Sequence, residues 1–322
     1  MAIPTKQALL QALSGAEGRY ISGEQLAQTL GVSRAAIHKA AAALTTQGYT
    51  LEAAPRRGYR LLGGDPFCAD AVGEYPAPVY VYERLDSSNQ TAKRLALTGA
   101  PHGTLVLAGQ QSAGRGRMGR RFESPAGKGI YLSLVLRAPV PASEALGVTV
   151  GAAVAVARAV QKLCGIELGI KWVNDLYYQG KKVCGILTEA ALDLESGMLD
   201  YAVLGLGFNV AAPADGWPED LRDVAGALYD GSPAPGARAA LAAAFLNAFW
   251  PLYRAGPRSG YLDEYRRRQA LTGQRVLVTP RRGTPRAAQV QGIDDECKLV
   301  VRFDGESRPA ALNSGEVSVR LL

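Results

Sequence analysis

Residues 110–129 read QQSAGRGRMGRRFESPAGKG, and the rest of the chain is organised around this stretch. It holds five glycines and five basic side chains against one acid, Glu123. Glycines let a backbone fold tightly around a ligand, and arginines present planar, permanently charged donors to carboxylates and phosphates. The stretch therefore predicts a mobile, anion-binding loop between two strands, with a solvated basic hairpin as the plainer alternative.

Gly114, Gly116 and Gly119 also spell G-x-G-x-x-G, but the surroundings do not fit a dinucleotide site. That motif must follow a strand and open a helix, whereas this loop runs from one strand pattern at residues 104–108 into another at 130–136. The chain also has neither the H-R-D nor the D-F-G of protein kinases. Six places before Lys128 stands Phe122, not the glycine of a P-loop.

Length and charge indicate several domains and anionic partners. The chain has 322 residues and a mass of 34.0 kDa, enough for two or three domains, and 48% of its residues are hydrophobic. Its net charge is +7. Residues 1–62 hold seven basic and three acidic side chains, which gives +4, and residues 111–130 hold five and one, which gives +4 again. Two separate basic sites indicate two separate anionic ligands.

Cysteine and histidine usage predicts neither disulfides nor a metal site. The four cysteines stand far apart without a C-x-x-C, and there are only two histidines. No signal peptide is visible at the start. The most apolar run, residues 145–160, contains Arg158 and is too short to span a bilayer. We therefore expect a reduced, cytoplasmic protein with no membrane partner and no metal ligands of its own.

Residues 1–62 predict a winged helix-turn-helix. Helices are expected at residues 6–13, 23–30 and 34–47, and the hydroxyl of Ser33 can cap the third. A hairpin over residues 49–53 and 58–62 then forms the wing, whose basic tip can reach phosphate. The residues expected to meet DNA are Ser33, Arg34, Ala35, His38, Lys39, Arg56 and Arg57. A small helical protein-interaction domain is the alternative.

After a linker at residues 63–66, strands and helices alternate. Ser87 and Gln90 have the spacing of a capping box, so residues 86–90 predict a helix start whose N–H groups could also meet a ligand. Further strands are expected at residues 79–85, 168–173, 176–178, 183–191 and 199–210, and helices at 141–164, 235–253 and 259–268. Residues 272–322 contain five short strand patterns and predict a small β-barrel.

Several of these stretches, in sequence order, resemble the biotin–protein ligases, specifically the bifunctional type that is also the biotin-operon repressor. They are GEQLAQTLGVSRAAIHKAAAAL at residues 23–44, DSSNQ at 86–90, GRGRMG at 114–119, SP at 124–125, YLS at 131–133, KWVND at 171–175, KVCGILTE at 182–189 and GLGFNV at 205–210. The resemblance covers nearly the whole chain. It implies an α+β multidomain fold: a winged helix-turn-helix at 1–62, a class II synthetase-like ligase domain with a central mixed β-sheet and helices at 63–271, and an SH3-like C-terminal β-barrel at 272–322.

The family joins the carboxylate of biotin to AMP with Mg-ATP, then passes the acyl group to one lysine of a carrier domain. The resemblance therefore implies a biotin–[acetyl-CoA-carboxylase] ligase that uses ATP with Mg²⁺ and has the biotin carboxyl carrier domain as its acceptor. It also implies a ligand-dependent homodimer that binds double-stranded operator DNA as a repressor. Fixed cations suit this chemistry, because two anions must be brought together.

The resemblance assigns roles to individual residues. The biotin-binding residues are Ser87, Ser88, Asn89, Gln111, Arg115, Gly116, Arg117, Lys182, Gly185, Gly205 and Gly207. The nucleotide-binding residues are Arg117, Lys171, Asn174, Asp175, Asn209 and Arg320. The residues expected to be catalytic are Lys182, Arg115, Arg117, Lys171 and Asp175. Hydroxyl and amide groups would meet the ureido ring, the cations would meet carboxylate and phosphate, and the three strand glycines would let the ligand lie against the sheet.

The chain departs from the family pattern in four places without losing a charge. Val173 stands where K-W-P-N-D has proline, Ser88 replaces a threonine, Phe122 a tryptophan and Cys184 a small residue. Trp217 is the candidate for the aromatic that covers adenine in some members. Three alternatives stay open: a regulator that senses an anion through an inactive enzyme domain, a ligase whose N-terminal domain does not regulate, and a lipoate-type ligase.

Overall fold

The computed structural model describes residues 5–46, 49–64, 72–137, 145–192, 199–231, 233–256, 260–280, 283–314 and 317–322. The chain forms two compact units, Met1–Glu74 with Gly231–Ala243, and Tyr75–Asp230 with Ala244–Leu322. The following lie outside the described residues: the second half of the predicted linker, the first residues of the predicted helix at 141–164, Gln47, Cys68 and Ser259.

The first unit is the predicted helix-turn-helix with its hairpin. Its helices are α1 (Thr5–Gly15), α2 (Gly23–Leu30) and α3 (Arg34–Thr46), followed by β1 (Thr50–Ala54) and β2 (Gly58–Gly63). Ser33 caps α3 as predicted, because its Oγ accepts a hydrogen bond of 3.1 Å from the Ala36 N–H. The core side chains, all 0–1% exposed, are Leu9, Leu13, Leu26, Ile37 and Leu44.

A distant segment completes this unit, which the sequence did not predict. The hydroxyl of Ser14 donates to the carbonyl of Pro235 at 3.2 Å. Gly236 lies against Leu10 and the Tyr49 hydroxyl, so that a Cβ at this position would be 3.4 Å from Leu10. Residues 231–243 thus belong to the unit that carries the helix-turn-helix.

The second unit is built on a seven-stranded mixed sheet of order β3-β4-β5-β9-β8-β7-β6, in which only β3 and β4 run parallel. Its strands are β3 (Val79–Tyr82), β4 (Leu105–Ala108), β5 (Gly129–Leu136), β6 (Gly169–Lys171), β7 (Asp175–Tyr178), β8 (Lys181–Leu192) and β9 (Leu199–Asn209). The predicted strands are therefore present, and residues 110–128 connect two of them.

Two helices cover opposite faces of this sheet. On α4 (Ser88–Leu97), Asn89 bonds to Glu189 of β8, whereas on α5 (Ala145–Cys164), Thr149 bonds to Thr188. Neighbouring residues of a strand point to opposite faces, so α4 and α5 lie on opposite sides. Among the described residues α5 is the one helix apolar and long enough to cross a membrane, but 72% of its most apolar window is buried. It is a core helix, as predicted.

The C-terminal strands form an open antiparallel sheet. They are β10 (Arg275–Pro280), β11 (Arg286–Ile293), β12 (Leu299–Phe303), β13 (Ala310–Leu312) and β14 (Val317–Leu321), in the order β13-β12-β11-β10-β14. Within the described residues no ladder joins β13 to β14, so the predicted barrel closure is not confirmed. With three residues, β13 offers little backbone for closure. Helices α6 (Ala237–Ala255) and α7 (Tyr261–Arg267) precede this sheet.

Candidate active site

The basic loop is a narrow hairpin. Gln111 bridges to Ser124, the carbonyl of Gly114 accepts from the Phe122 N–H at 2.9 Å, and the Gly116 N–H donates to the Arg120 carbonyl at 2.7 Å. A Cβ on Gly114 would lie 2.4 Å from the Phe122 carbonyl, so only glycine permits this approach. At the turn Arg117–Gly119, Arg117 reaches Asn174 and Ser314 by hydrogen bonds, whereas Met118 is exposed.

One pocket, with a cavity volume of about 40 Å³, collects the predicted biotin-binding residues. Its lining contains all eleven of them together with Asn174: Ser87, Ser88, Asn89, Gln111, Arg115, Gly116, Arg117, Lys182, Gly185, Gly205 and Gly207. They come from the start of α4, the hairpin, β8 and β9. Phe122, Ile186, Leu187 and Leu206 add apolar surface. Small-molecule sites typically combine such an apolar lining with a few convergent polar groups.

The start of α4 is capped from the hairpin, so the predicted capping box is wrong. In a capping box the side chain of Gln90 would bond to the Ser87 N–H. The Asp86 carboxylate already accepts that N–H at 2.8 Å, and the hydroxyl of Ser87 makes no capping bond. Instead the Ser88 N–H donates to Gln111 Oε1 at 2.8 Å. Gln111 Nε2 in turn lies 2.9 Å from Ser124 Oγ, which ties the hairpin to the helix.

Asn89 is held by a buried network at the floor of the pocket. Its Nδ2 donates to the Leu187 carbonyl at 3.3 Å and to Glu189 Oε2 at 3.0 Å, and its Oδ1 lies 2.6 Å from Ser133 Oγ. A Cβ on Gly205 would come within 1.9 Å of Asn89 Oδ1. Gly205 therefore makes room for Asn89, and its contact with a ligand stays a prediction.

The other two strand glycines face the Phe122 ring and Lys182. A Cβ on Gly207 would lie 2.6 Å from the Phe122 ring, and one on Gly185 would lie 3.1 Å from Lys182 Nζ. Phe122 thus packs against the sheet inside the pocket. The aromatic that replaces the family's tryptophan is therefore part of the site, although the sequence analysis assigned it no role.

Several cations converge on one carboxylate at the edge of the pocket. Lys182 Nζ lies 2.7 Å from Asp175 Oδ1, and Asn174 Nδ2 donates to the same oxygen at 2.9 Å. Arg117 Nη1 donates to Asn174 Oδ1 at 3.0 Å, and Nη2 donates to the carbonyl of Ser314. Burial lowers the pKa of the Arg117 guanidinium, and the charge of Asp175 opposes that shift. An entering anion would compensate these partly buried charges.

The predicted nucleotide-binding residues lie around this cluster. Lys171 and Asp175 stand directly opposite each other across β6 and β7, where burial lowers the pKa of Lys171 and Asp175 opposes it. The charge of Arg320, on β14, also acts on Lys171. Asn209 ends β9, donates to the Gly226 carbonyl at 3.0 Å, and keeps a buried Oδ1 that has no hydrogen-bond partner among the described residues. Trp217 is half-buried.

In the first unit, a groove between α3 and the hairpin holds part of the predicted DNA-binding set. Arg34, Ala35, His38 and Arg56 line it, together with the start of α2, which includes Glu24, and other residues of the hairpin. Ser33, Lys39 and Arg57 are not among the described residues of that lining, although Lys39 is exposed. The Arg57 guanidinium stacks 4.0 Å from the centre of the Tyr20 ring.

Sequence reasoning missed the residues that support the pocket. Ser133 and Glu189 each end a stretch that carries the family resemblance, at residues 131–133 and 182–189, but neither was given a role in the site. Ser314 contributes a backbone carbonyl, which no side-chain motif can reveal.

Comparisons with known proteins agree on the kind of protein this chain resembles. The biotin/lipoate A/B protein ligase family model matches residues 81–209, and an HTH domain model matches residues 5–60. The bifunctional ligase/repressor BirA of Bacillus spizizenii is 37% identical over 253 residues, or 76% of this chain and 77% of that protein. BirA of Escherichia coli is 35% identical over 202 residues, 61% of each. A biotin protein ligase from Aquifex aeolicus in complex with biotin and ATP has a TM-score of 0.62 and 25% identity, covering 76% of this chain and 99% of that one.

Proposed function

The chain belongs to the family of bifunctional biotin–protein ligases and repressors, and from that membership we propose how its pocket carries out the reaction. It activates biotin with ATP to biotinyl-5'-AMP, transfers the biotinyl group to a carrier protein, and represses through its helix-turn-helix. The observation that carries the assignment is the convergence of eleven predicted biotin contacts in one pocket beside a cation cluster.

In the first step, a carboxylate oxygen of biotin attacks the α-phosphorus of ATP. The new acyl–phosphate bond forms as the bond to pyrophosphate breaks. Lys182 and Arg117 are placed to neutralise the charge shared by the carboxylate and the α-phosphate, because both line the pocket and meet through Asn174 and Asp175. The hydroxyl and amide groups of Ser87, Ser88 and Gln111 are placed for the ureido ring.

In the second step, a neutral lysine amine of the carrier attacks the acyl carbon, AMP leaves with the electron pair, and the nitrogen loses a proton. When bound with ATP, Mg²⁺ would screen the negative charge of the triphosphate in the first step. Mg²⁺ is commonly bound by one or two carboxylates plus substrate phosphates, and Asp175, which lies beside Lys182 and Asn174, fits that role. Asn209, with its unpartnered acceptor oxygen, is suited to an amino group such as that of adenine.

A direct test incubates the protein with biotin, Mg-ATP and the biotin carboxyl carrier domain of acetyl-CoA carboxylase. We expect one biotinyl group on a single lysine of the carrier, seen as a mass increase. Lipoate replaces biotin in a parallel reaction and is expected to give no modification. Modification by lipoate alone would support the lipoate-type alternative, and no modification at all would support the inactive-sensor alternative.

Arg117→Gly is expected to make some adenylate, more slowly than the parent protein, and to release it. Arg117 ties the hairpin tip to Asn174 and to the carbonyl of Ser314, and without these bonds the hairpin cannot close over a reactive mixed anhydride. The measurement is biotin labelling of lysines on an unrelated bystander protein. Arg121→Gly is the matched control, since Arg121 is an exposed arginine of the same hairpin that pairs with Glu123 at 3.3 Å. Unlabelled bystanders with tightly retained adenylate would show that the hairpin is not a lid.

We propose that the repressor is a homodimer whose formation biotinyl-AMP promotes. One edge of β8 offers a surface for dimer formation. On that edge β7 pairs only with Lys181–Gly185, and the Ile186 N–H donates to the Asn174 carbonyl. Beyond Ile186 no described strand pairs with β8 on this side. A strand edge with which no described strand pairs is a ready site for pairing with a second copy. A dimer would place two recognition helices on symmetric half-sites. Sedimentation with and without the adenylate tests this.

Arg34→Ala is expected to weaken operator binding and relax its sequence preference while ligation stays unchanged. Arg34 starts α3 and lines the groove, where the first turn of a recognition helix meets base edges. Losing one base contact costs about 1–3 kcal/mol. The control is Arg19→Ala, which removes the same charge from the same unit outside the groove lining. Binding to DNA from upstream of biotin-synthesis genes is measured with and without biotin plus ATP, and equal affinity in both conditions would rule out co-repression.

The remaining assignments rest on the same family membership. We propose domain boundaries at residues 1–62, 63–271 and 272–322, an SH3-like barrel as the relative of the open C-terminal sheet, and a cytoplasmic site of action. The buried position of α5, the one candidate membrane span in the described part of the chain, supports the last of these.

A further inference from the structure

The nucleotide-binding side chains sit on a tight turn. Lys171 ends β6, Asp175 starts β7, and the two form the last pair of that ladder, so residues 172–174 are the whole turn between them. Because Lys171 and Asp175 flank a three-residue turn, the backbone of that turn sets where both side chains point. Whatever fixes the turn therefore fixes the nucleotide half of the site.

Bonds from later parts of the chain hold this turn from outside. The Trp172 N–H donates to Gln269 Oε1 at 3.1 Å, and the indole N–H of Trp172 donates to the Cys297 carbonyl at 2.9 Å. Tyr265, in α7, donates its hydroxyl to the Val173 carbonyl at 3.1 Å. All three bonds are buried, and Tyr265 is 0% exposed, so water does not compete for them.

The Tyr265 hydroxyl is a constant donor. Burial raises the pKa of Tyr265 far above its ordinary value, and Arg117 and Asp175 are close enough to act on it electrostatically. The hydroxyl therefore keeps its proton throughout the working pH range and can always bond to the Val173 carbonyl. Gln269 is fixed beside it, because its Oε1 accepts from the N–H groups of both Trp172 and Leu271.

The sequence of the turn explains why such a support is needed. Position 173 is valine, whereas the family pattern has proline there. The ring of a proline restricts its own φ, and valine lacks that restriction. The turn therefore depends more on bonds from its surroundings.

We infer that Tyr265, supported by Gln269, is a positioning residue for ATP: it holds the 172–174 turn so that Lys171 and Asp175 face the triphosphate. Neither Tyr265 nor Gln269 lines the biotin pocket, and the groups assigned to the ureido ring come from the start of α4 and from the hairpin. Asn174, the last residue of the turn, does line that pocket, whereas Lys171 and Asp175 do not. The support is therefore expected to act chiefly on the nucleotide and much less on biotin. This inference rests on the proposed function.

Tyr265→Phe tests it, and the same helix supplies a matched control. Tyr261 is also a buried tyrosine of α7 whose hydroxyl donates to a backbone carbonyl, that of Gly147 in α5 at 3.0 Å. Each variant loses one hydroxyl and one such bond, so similar losses of stability are expected. Only Tyr265→Phe is expected to raise the KM for ATP in pyrophosphate release, by about tenfold, which corresponds to one lost hydrogen bond. The Kd for biotin alone, measured by calorimetry, is expected to change less than about twofold.

A second variant is designed to restore the conformation of the 172–174 turn without the Tyr265 hydroxyl. Adding Val173→Pro to Tyr265→Phe is expected to bring the KM for ATP back toward that of the parent, because proline restricts the turn from within. Equal KM values for Tyr265→Phe and Tyr261→Phe would overturn the inference, as would a loss of biotin affinity as large as that for ATP. If the parent protein released no pyrophosphate, the proposed function would fail first, and the two failures are thus distinct.

Discussion

Lys182→Ala is expected to slow adenylate formation by about 100-fold or more, because it removes a cation preorganised for charge that develops in the transition state. Lys182 lines the pocket, lies beside Gly185, and is held 2.7 Å from Asp175. Loss of the lysine also leaves Asp175 to repel the incoming phosphate. The measurement is the rate of pyrophosphate release at saturating biotin and ATP.

The fold of this variant is expected to survive. Both partners of the ion pair are partly exposed, at 30% and 24%, and such pairs contribute about 0–1 kcal/mol to stability. Lys181→Ala is the control, since the neighbouring lysine is exposed and bonds to the Arg222 carbonyl at 3.0 Å, outside the pocket lining. Near-normal pyrophosphate release by Lys182→Ala would remove this residue from the reaction.

Gly205→Ala is expected to lower the free energy of unfolding by about 3 kcal/mol and to abolish measurable biotin binding. The added methyl would lie 1.9 Å from Asn89 Oδ1, and Asn89 cannot move without breaking its bonds to Ser133, Leu187 and Glu189. Overpacking and unsatisfied buried polar groups act together here. Chemical denaturation and calorimetry measure the two effects.

Two further variants distinguish the steric clash with Asn89 from the general effect of replacing a strand glycine by alanine. Gly169→Ala is the control, since its Cβ would meet Ala270 at an ordinary 3.7 Å. The double variant Gly205→Ala/Asn89→Ala removes the clash. Its loss of unfolding free energy is therefore expected to be smaller than the sum of the losses in the two single variants. Biotin binding is not expected to return, because the network at the pocket floor is lost. Strict additivity would contradict the close contact.

Helices and strands were predicted correctly from the sequence wherever hydrophobic periodicity and turn residues determine the local structure. The helix-turn-helix, the strands on both sides of the basic loop, and the five C-terminal strands all follow from periodicity and turn residues. The convergence of residues from positions 87 to 207 came from the family resemblance, since spacing along the chain does not state which strands become neighbours.

The errors and omissions share a physical cause. The prediction of a capping box was wrong because the Ser87 N–H donates to Asp86 and the Ser88 N–H donates to Gln111. Gln111 is 23 residues away from Ser88 in the sequence. Competition between a local and a distant partner is decided by tertiary packing, which propensity does not contain. Likewise, the carbonyl that anchors Arg117 and the tyrosine that holds the 172–174 turn come from distant parts of the chain.

The segment at residues 231–243 has a consequence for the order of events during synthesis. The helix-turn-helix has a core of its own and is finished by residue 63, yet the segment that covers Leu10 and Tyr49 is translated only after a further stretch of chain. At typical translation rates of about 5–20 residues per second, that delay is on the order of ten to thirty seconds. On the ribosome, the nascent helix-turn-helix therefore folds with one side still uncovered, and it reaches its final form only when most of the enzyme behind it has been made.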